Sequence, residues 1–394
     1  MKILYVTTIG MTMTFFKELI RDLLDQGHAV DIMCNESDFP VSDCYREWGC
    51  AVYHHDCARS PFSPGNLKAV SQIRELVQKN QYDVVHCHTP VAAMCTRMAC
   101  IGARKRGTKV FYTAHGFHFF KGAPLQNWLL YYPVEKICSY FTDVLITINQ
   151  EDYHLAQRKM KAGRVEYIPG VGVDVEKFRN TQVDRKQKRA ELGIPADATL
   201  LLSVGELNRN KNQQVIIRAL AKLNDSSIHY AVVGIGNQMD ALKSLAEELG
   251  VAQQVHFLGF RNDVAELCHT ADIFCFPSQR EGLGLAALEA MSCGLPLITS
   301  NVHGINDYSE DGVTGFKYDP MDYNGFAEGI LKILSDDQLR LQMGKQNSVR
   351  VEQFAIEKSI EKLYAIYLVG ACFIIVRCLG NDETTPRAVD VLLA

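Results

Sequence analysis

The sequence predicts an α/β protein of two Rossmann-like domains, each a doubly wound parallel sheet. Short runs rich in β-branched residues alternate with helical patterns along the chain, which is how successive βα units read. The alternation runs twice, on either side of a polar stretch at Asp174–Arg189 (DVEKFRNTQVDRKQKR) that reads as a linker. With 394 residues, 47% of them apolar, the chain is long for one domain and can fill two cores.

The first series places strands at Lys2–Thr8, Ala29–Cys34, Ala51–His54, Asp83–His88, Val110–His115, Val144–Asn149 and Val165–Pro169. Helical patterns between them cover Thr14–Gln26, Asn66–Asn80, Val91–Arg106 and Asn127–Phe141. The second series has strands at Thr199–Gly205, His229–Gly234, Val255–Gly259, Asp272–Phe276 and Pro296–Ser300. Its helices are Asn212–Leu223, Gln238–Leu249, Leu285–Met291 and Tyr323–Ser335, with more after Gln338.

Composition removes several function classes. A net charge of −4 argues against a nucleic-acid binder held by bulk charge. The 13 cysteines are odd in number and repeat no spacing, so reduced thiols and a cytoplasmic location are expected. Met1–Thr8 (MKILYVTT) reads as a buried strand rather than a signal peptide. The sequons at Asn35-Glu36-Ser37 and Asn224-Asp225-Ser226 then carry no weight. The apolar run Leu363–Val376 falls short of the ~20 residues that span a bilayer.

In an open parallel sheet, ligands sit at the carboxyl ends of the strands. The second series puts its distinctive residues there. Gly205 closes a strand and Lys211 follows in the next turn (GELNRNKN). Lys211 is either a point charge for a diphosphate or a solvated surface residue. Gly234 and Gly236 close another strand; they admit a ligand close to the backbone or simply make a tight turn. The densest string is Pro277–Ile298 (PSQREGLGLAALEAMSCGLPLI), in which seven residues separate Glu281 from Glu289. An acid in the turn after a strand and a second acid inside the next helix suit a polyol, one accepting from sugar hydroxyls and the other from a ribose diol. Gly282, Leu283 and Gly284 leave the helix N-terminus open to a phosphate. Glu289 could be an ordinary surface acid, but its apolar flanks imply a buried carboxylate that needs a partner.

In the first series the edge residues are Gly10, His86, His88 and His115. The turn at Gly10 (TTIGMTMT) offers backbone N–H groups to a phosphate. His86 and His88 flank Cys87 on a strand and share one face, without a second ligand pair at zinc spacing. No GxGxxG follows the first strand, against a dinucleotide enzyme. No Asp-x-Asp metal clamp follows any strand, so neither a metal nor a cofactor is expected.

The string Pro277–Ile298 resembles the signature of the retaining glycosyltransferases of family 4, which have the GT-B architecture. The likeness covers about Met1–Leu368 and is strongest from Ile194 to Gly315. It implies an acceptor-side domain at 1–180, a nucleotide-sugar domain at 181–351, and a return helix over about 352–394 that crosses back onto the first domain. It also implies sugar transfer from a nucleotide sugar, expected to be UDP-linked, with the leaving phosphate deprotonating the acceptor on the same face. In such a site Glu281 would hold sugar hydroxyls, Glu289 the ribose and Lys211 the diphosphate. His115, in TAHG, would lie beside the transferring carbon. GELNRNKN and DVVHCHTP resemble bacterial capsule and exopolysaccharide transferases, which implies a lipid-linked glycan acceptor.

Two departures stand out. Many relatives have adjacent glycines where this chain has Gly10-Met11. Relatives commonly carry Arg after the strand-closing glycine, where this chain has Glu206. Glu206 must point away from a diphosphate, or Arg209 must supply the missing charge. Two rival readings stay open: a GT-B epimerase or hydrolase acting on UDP-N-acetylglucosamine, and a catalytically silent nucleotide-sugar-binding subunit.

Arg97, Arg104, Lys105, Arg106 and Lys109 cluster in one helix and its exit, close in sequence to Phe117, Phe119, Phe120, Trp128, Tyr131 and Tyr132. They read either as a solvated basic face over core aromatics or as a peripheral contact with an anionic membrane. The tail from Val369 has no counterpart in the resemblance.

Overall fold

The computed structural model describes residues 1–378. The first sheet contains β1 (Lys2–Ile9), β2 (Ala29–Asn35), β3 (Val52–His54), β4 (Val84–His88), β5 (Lys109–Ala114), β6 (Val144–Thr147) and β7 (Arg164–Tyr167), in the order β3-β2-β1-β4-β5-β6-β7. The second contains β8 (Thr199–Val204), β9 (Ile228–Val233), β10 (Val255–Gly259), β11 (Ile273–Phe276), β12 (Leu297–Ser300) and β13 (Gly315–Tyr318), in the order β10-β9-β8-β11-β12-β13. Every strand pairing is parallel.

Helices on both faces explain why the strands read as continuous apolar runs. In β1, Ile3 and Tyr5 join one core while Leu4 and Val6 join another, all fully buried. Strand order reverses between β1 and β4, and again between β8 and β11. A crevice opens at such a reversal, at the carboxyl ends of the strands. One crevice therefore takes the ends of β1 and β4, Thr8–Gly10 and His88–Thr89. The other takes Gly205–Lys211 after β8 and Pro277–Glu281 after β11.

Several elements differ from the sequence expectation. β13 was not anticipated; it is a four-residue edge strand with little apolar signal. The expected linker folds as two short helices, Val175–Asn180 and Arg185–Glu191, because Asp174 and Asp184 cap their N-termini with side-chain hydrogen bonds. The pattern Thr14–Gln26 begins as a 3-10 turn at Gly10–Phe16 and becomes α-helical at Lys17. The pattern Val91–Arg106 breaks at Cys100 into Pro90–Ala99 and Ile101–Arg104. β6 stops at Thr147 because Asn149 caps an unanticipated helix, Gln150–Lys159.

The chain returns to the first domain through a helix at Ile356–Cys378. Its entry is tied by Val173 N–H to Phe354 O (3.0 Å) and by Ile356 N–H to Val173 O (3.0 Å). Buried Tyr367 bonds the hydroxyl of Tyr5 (2.7 Å) and Nδ1 of His86 (2.6 Å), and its ring stacks on Phe111. Residues 379–394, with the polar end of the tail at Gly380–Arg387, lie outside the described residues. Among the described residues no helix is long and apolar enough to cross a membrane.

Candidate functional site

The turn after β11 carries the densest chemistry. Pro277 O accepts from Asn212 Nδ2 (3.1 Å), Asn210 O accepts from Gln279 N–H (2.7 Å), and Arg280 O accepts from Asn210 Nδ2 (2.9 Å). These bonds lock the turn after β11 to the turn after β8. The lock brings Lys211 Nζ to 2.5 Å from Glu281 Oε1, with the ammonium 4.9 Å from the centre of the Phe276 ring. An ammonium and a carboxylate at neighbouring strand ends can bind a diphosphate and a polyol together, since each can trade its partner for a ligand group. Gly284 caps the following helix in the left-handed region (φ 94°), and an added Cβ would strike the Phe276 ring. Beside it, the buried Tyr308 hydroxyl has no partner among the described residues. The Glu289 carboxyl, on the helix Leu285–Ser292, has no hydrogen-bond partner among the described residues. Burial, with Cys293 adding to it, pushes its carboxyl up to about 7.

A set of polar groups fastens this turn to the first domain. Asn149 Nδ2 donates to Gly282 O (2.9 Å) and to Asp152 Oδ2 (2.9 Å), while Asp152 Oδ1 meets His303 Nε2 at 2.9 Å with both side chains fully buried. Asp152 Oδ2 also accepts from Phe117 N–H (2.9 Å), and the His303 ring stacks on Phe120. Gln150 N–H donates to Asp307 (2.9 Å), whose carboxyl burial pushes up to about 6. Gly282 is required here: a Cβ would collide with His115 O across the domain boundary. The leucine between the glycines, Leu283, is buried against Gly170 of the first domain.

The first-domain wall is built from β4 and β5. His88 Nδ1 lies 3.1 Å from His115 Nε2, so the pair shares one proton. Burial holds His115 down to about 4 and His88 well below its ordinary value, so both rings are neutral near pH 7. His86 is committed elsewhere, to Tyr367 and to Thr113 Oγ1 (2.8 Å). Beside this wall, at the strand reversal, lies a largely apolar cavity of about 500 Å³. It is bounded by Thr8 and Thr89 at the strand ends, by Phe62 and Leu130 at the rim, and by His118 and Tyr131 toward the second domain.

The structure thus brings Lys211, Glu281, Gly282, Leu283, Gly284 and His115 together, with Glu289 on the adjoining helix. It treats other expected residues differently. Gly10 is a glycine because the backbone of Phe39–Val41 passes directly over it. Gly234 and Gly236 make room for the backbone of Gly205 and Leu207, which is the tight-turn reading. Arg209 is exposed and lines a groove with Arg218 and Glu248; Glu206 is exposed as well. Arg97 leaves the proposed basic face altogether: it is 1% exposed, pairs with Glu135 at 2.8 Å and lies over the Tyr112 ring. Arg104 pairs with Asp143 at 2.9 Å.

Sequence reasoning missed Asn149, Asp152, His303, His118 and Arg280. For Asn149 and Asp152 a signal existed, since Asn-x-x-Asp is a helix-start pattern. The others meet only across the two domains.

Comparison with known proteins agrees with this geometry. Residues 184–350 match the model of glycosyl transferases group 1, and residues 13–177 match that of glycosyltransferase family 4. EpsD of Bacillus subtilis (strain 168), a protein named as a glycosyltransferase, is 40% identical over 78% of this chain and 82% of its own length. The Escherichia coli UDP-Gal:alpha-D-GlcNAc-diphosphoundecaprenol alpha-1,3-galactosyltransferase is 27% identical over 86% of this chain and 88% of its own. Anabaena HepE, solved in complex with UDP, superposes with a TM-score of 0.78 at 22% identity, covering 94% of this chain and 100% of that one. With two facing parallel sheets and matches along both halves, the chain belongs to family 4 of the glycosyltransferases, as a retaining nucleotide-sugar transferase of the GT-B fold.

Proposed function

We propose that this enzyme moves a sugar from a UDP-sugar to a lipid-linked glycan during exopolysaccharide or capsule assembly, at the cytoplasmic face of the membrane. The observation that carries the reading is the pairing of two unlike crevices. Lys211, Glu281 and Glu289 gather at the strand reversal of the second domain, and an apolar cavity stands at that of the first. Lys211 takes the donor diphosphate, Glu289 the ribose diol, and Glu281 the hydroxyls of the sugar. His115, a neutral imidazole, bonds the sugar near the transferring carbon. As the bond from that carbon to the diphosphate breaks, the departing phosphate oxygen takes the acceptor hydroxyl proton, and the new bond forms on the same face. Support for UDP comes from HepE, and support for a diphosphate-linked lipid acceptor from the named substrate of the Escherichia coli relative.

A membrane contact fits the same reading. The helix Leu125–Ser139 leaves Leu125, Leu129 and Ile137 between 60% and 74% exposed. Its end is joined to the segment bearing exposed Lys105 and Arg106 by Arg104, which donates to Tyr140 O (3.1 Å).

The test is transfer of radiolabel from a panel of UDP-sugars to a polyprenyl-diphosphate-linked sugar, with and without EDTA. Label in the organic phase in both conditions is expected. Free UDP with an altered free sugar would indicate the epimerase, and binding without turnover the silent subunit. Activity abolished by EDTA and restored by magnesium would overturn the metal-independent site.

A further inference from the structure

Arg280 is not used by any step above. The bonds from Asn210 fix the backbone on both sides of it. Glu281 goes to Lys211 in its own domain. Arg280 has Glu281 beside it and, from the first domain, His118, Asp152 and Tyr131 near enough to feel its charge.

Its neighbours are already committed. Glu281 is paired with Lys211. Both oxygens of Asp152 are taken, by His303 on one side and by Phe117 N–H and Asn149 on the other. The Arg280 guanidinium makes no hydrogen bond and no ion pair among the described residues, although it is half-buried. The fully buried arginines among the described residues each have an acidic partner: Arg97 has Glu135 and Arg189 has Asp272. A partly desolvated cation without a partner is costly, and its planar fork of donors matches the oxygens of a phosphate. His118 and Tyr131 line the apolar cavity, as does Gly116, which abuts Gly282 two residues beyond Arg280 in the same turn.

We propose that Arg280 receives a phosphate group of the acceptor, facing the first domain while Lys211 faces the donor, and that the apolar cavity takes whatever chain that phosphate carries. This rests on the donor and acceptor assignment above. It names the chemistry of the acceptor as a phosphate ester, which could be a lipid diphosphate or a soluble sugar phosphate.

The test is calorimetric binding at saturating UDP, so that the donor crevice is filled. The probes are farnesyl diphosphate, inorganic pyrophosphate and farnesol. Arg280→Ala should weaken farnesyl diphosphate ~10-fold or more, the loss of one charge-assisted contact, with UDP affinity within about twofold of wild type. Arg280→Lys, which keeps charge but not the fork, should fall between, and thermal melts of both variants establish that they fold. Farnesyl diphosphate binding far tighter than pyrophosphate assigns the lipid carrier. Equal binding of the two, both weakened by Arg280→Ala, assigns a soluble phosphate. Unchanged farnesyl diphosphate binding, or an equal loss of UDP affinity, overturns the proposal. Failure of the wild type to bind UDP at all would show separately that the donor reading is at fault.

Discussion

Lys211 and Glu281 meet at 2.5 Å, so neither can be altered without changing what the other presents to a ligand. Glu281→Gln keeps the shape and removes the charge. Turnover should fall ~10²-fold or more with the fold intact, as when one transition-state contact is lost; steady-state rates and a thermal melt check both halves. Arg209→Ala should leave UDP affinity unchanged in calorimetry, because Arg209 faces the groove beside Arg218. Glu289 gives a pH signature. Its folded pKa of about 7 exceeds the usual carboxylate value, so the folded state holds more protons than the unfolded one and stability declines as pH rises through that window. Ribose hydroxyls donating to Glu289 would favour the ionised form. UDP-glucose binding should therefore release protons near pH ~6 and tighten as pH approaches ~7, measured by calorimetry in buffers of different ionisation heat. Glu289→Gln should abolish both effects. Glu281, Glu289 and Lys211 were legible as candidates from the strings that follow the strand ends, and His115 through the family resemblance. Arg280 and His118 were not, because their importance arises from neighbours far away in sequence.

At the scale of elements, the parallel strands were readable because burial on both faces removes polar positions from the pattern, as in β1. Edge strand β13 lacked that signal, and the capped helices at Val175–Asn180 and Arg185–Glu191 were concealed by their charge. The same limitation misplaced Arg97, since helical spacing groups it with Arg104–Arg106 and only Glu135, on another helix, turns it inward. The proposed membrane contact is better assigned to Leu125–Ser139 with Lys105 and Arg106. Binding to anionic vesicles should weaken with salt, by ~1 kcal/mol per basic residue near the surface. Changing Lys105 and Arg106 to Ser should reduce it, as should Leu125→Ser with Leu129→Ser, in a flotation assay. Binding equal to wild type in both variants would remove the contact. Arg104 should be spared, because its bond to Asp143 would be lost for structural reasons.

At the scale of the molecule, two features join the halves: the contacts that Asn149, Gln150, Asp152 and Gly170 make with the second domain, and the return helix. The first could not be read from sequence. The second was available only through the family resemblance, since nothing in the local pattern says which sheet that helix meets. Tyr367→Phe leaves the Tyr5 hydroxyl and His86 Nδ1 short of a buried partner. It should lower stability by ~1–3 kcal/mol, read from the urea midpoint at unchanged slope. A variant as stable as wild type would show that these groups find other partners.

The return helix also sets an order of assembly during synthesis. The Tyr367 hydroxyl that completes the first sheet lies 281 residues after His86 and 362 after Tyr5. A ribosome adding ~5–20 residues per second needs on the order of 15–60 s to travel from His86 to Tyr367. Through that interval the nascent first domain exposes an unfinished face carrying Tyr5, His86 and Phe111. A fragment ending at the interdomain helices would keep that face indefinitely. The first domain is thus made first and completed last, and its window of exposure to chaperones and proteases is set by the time taken to translate the second.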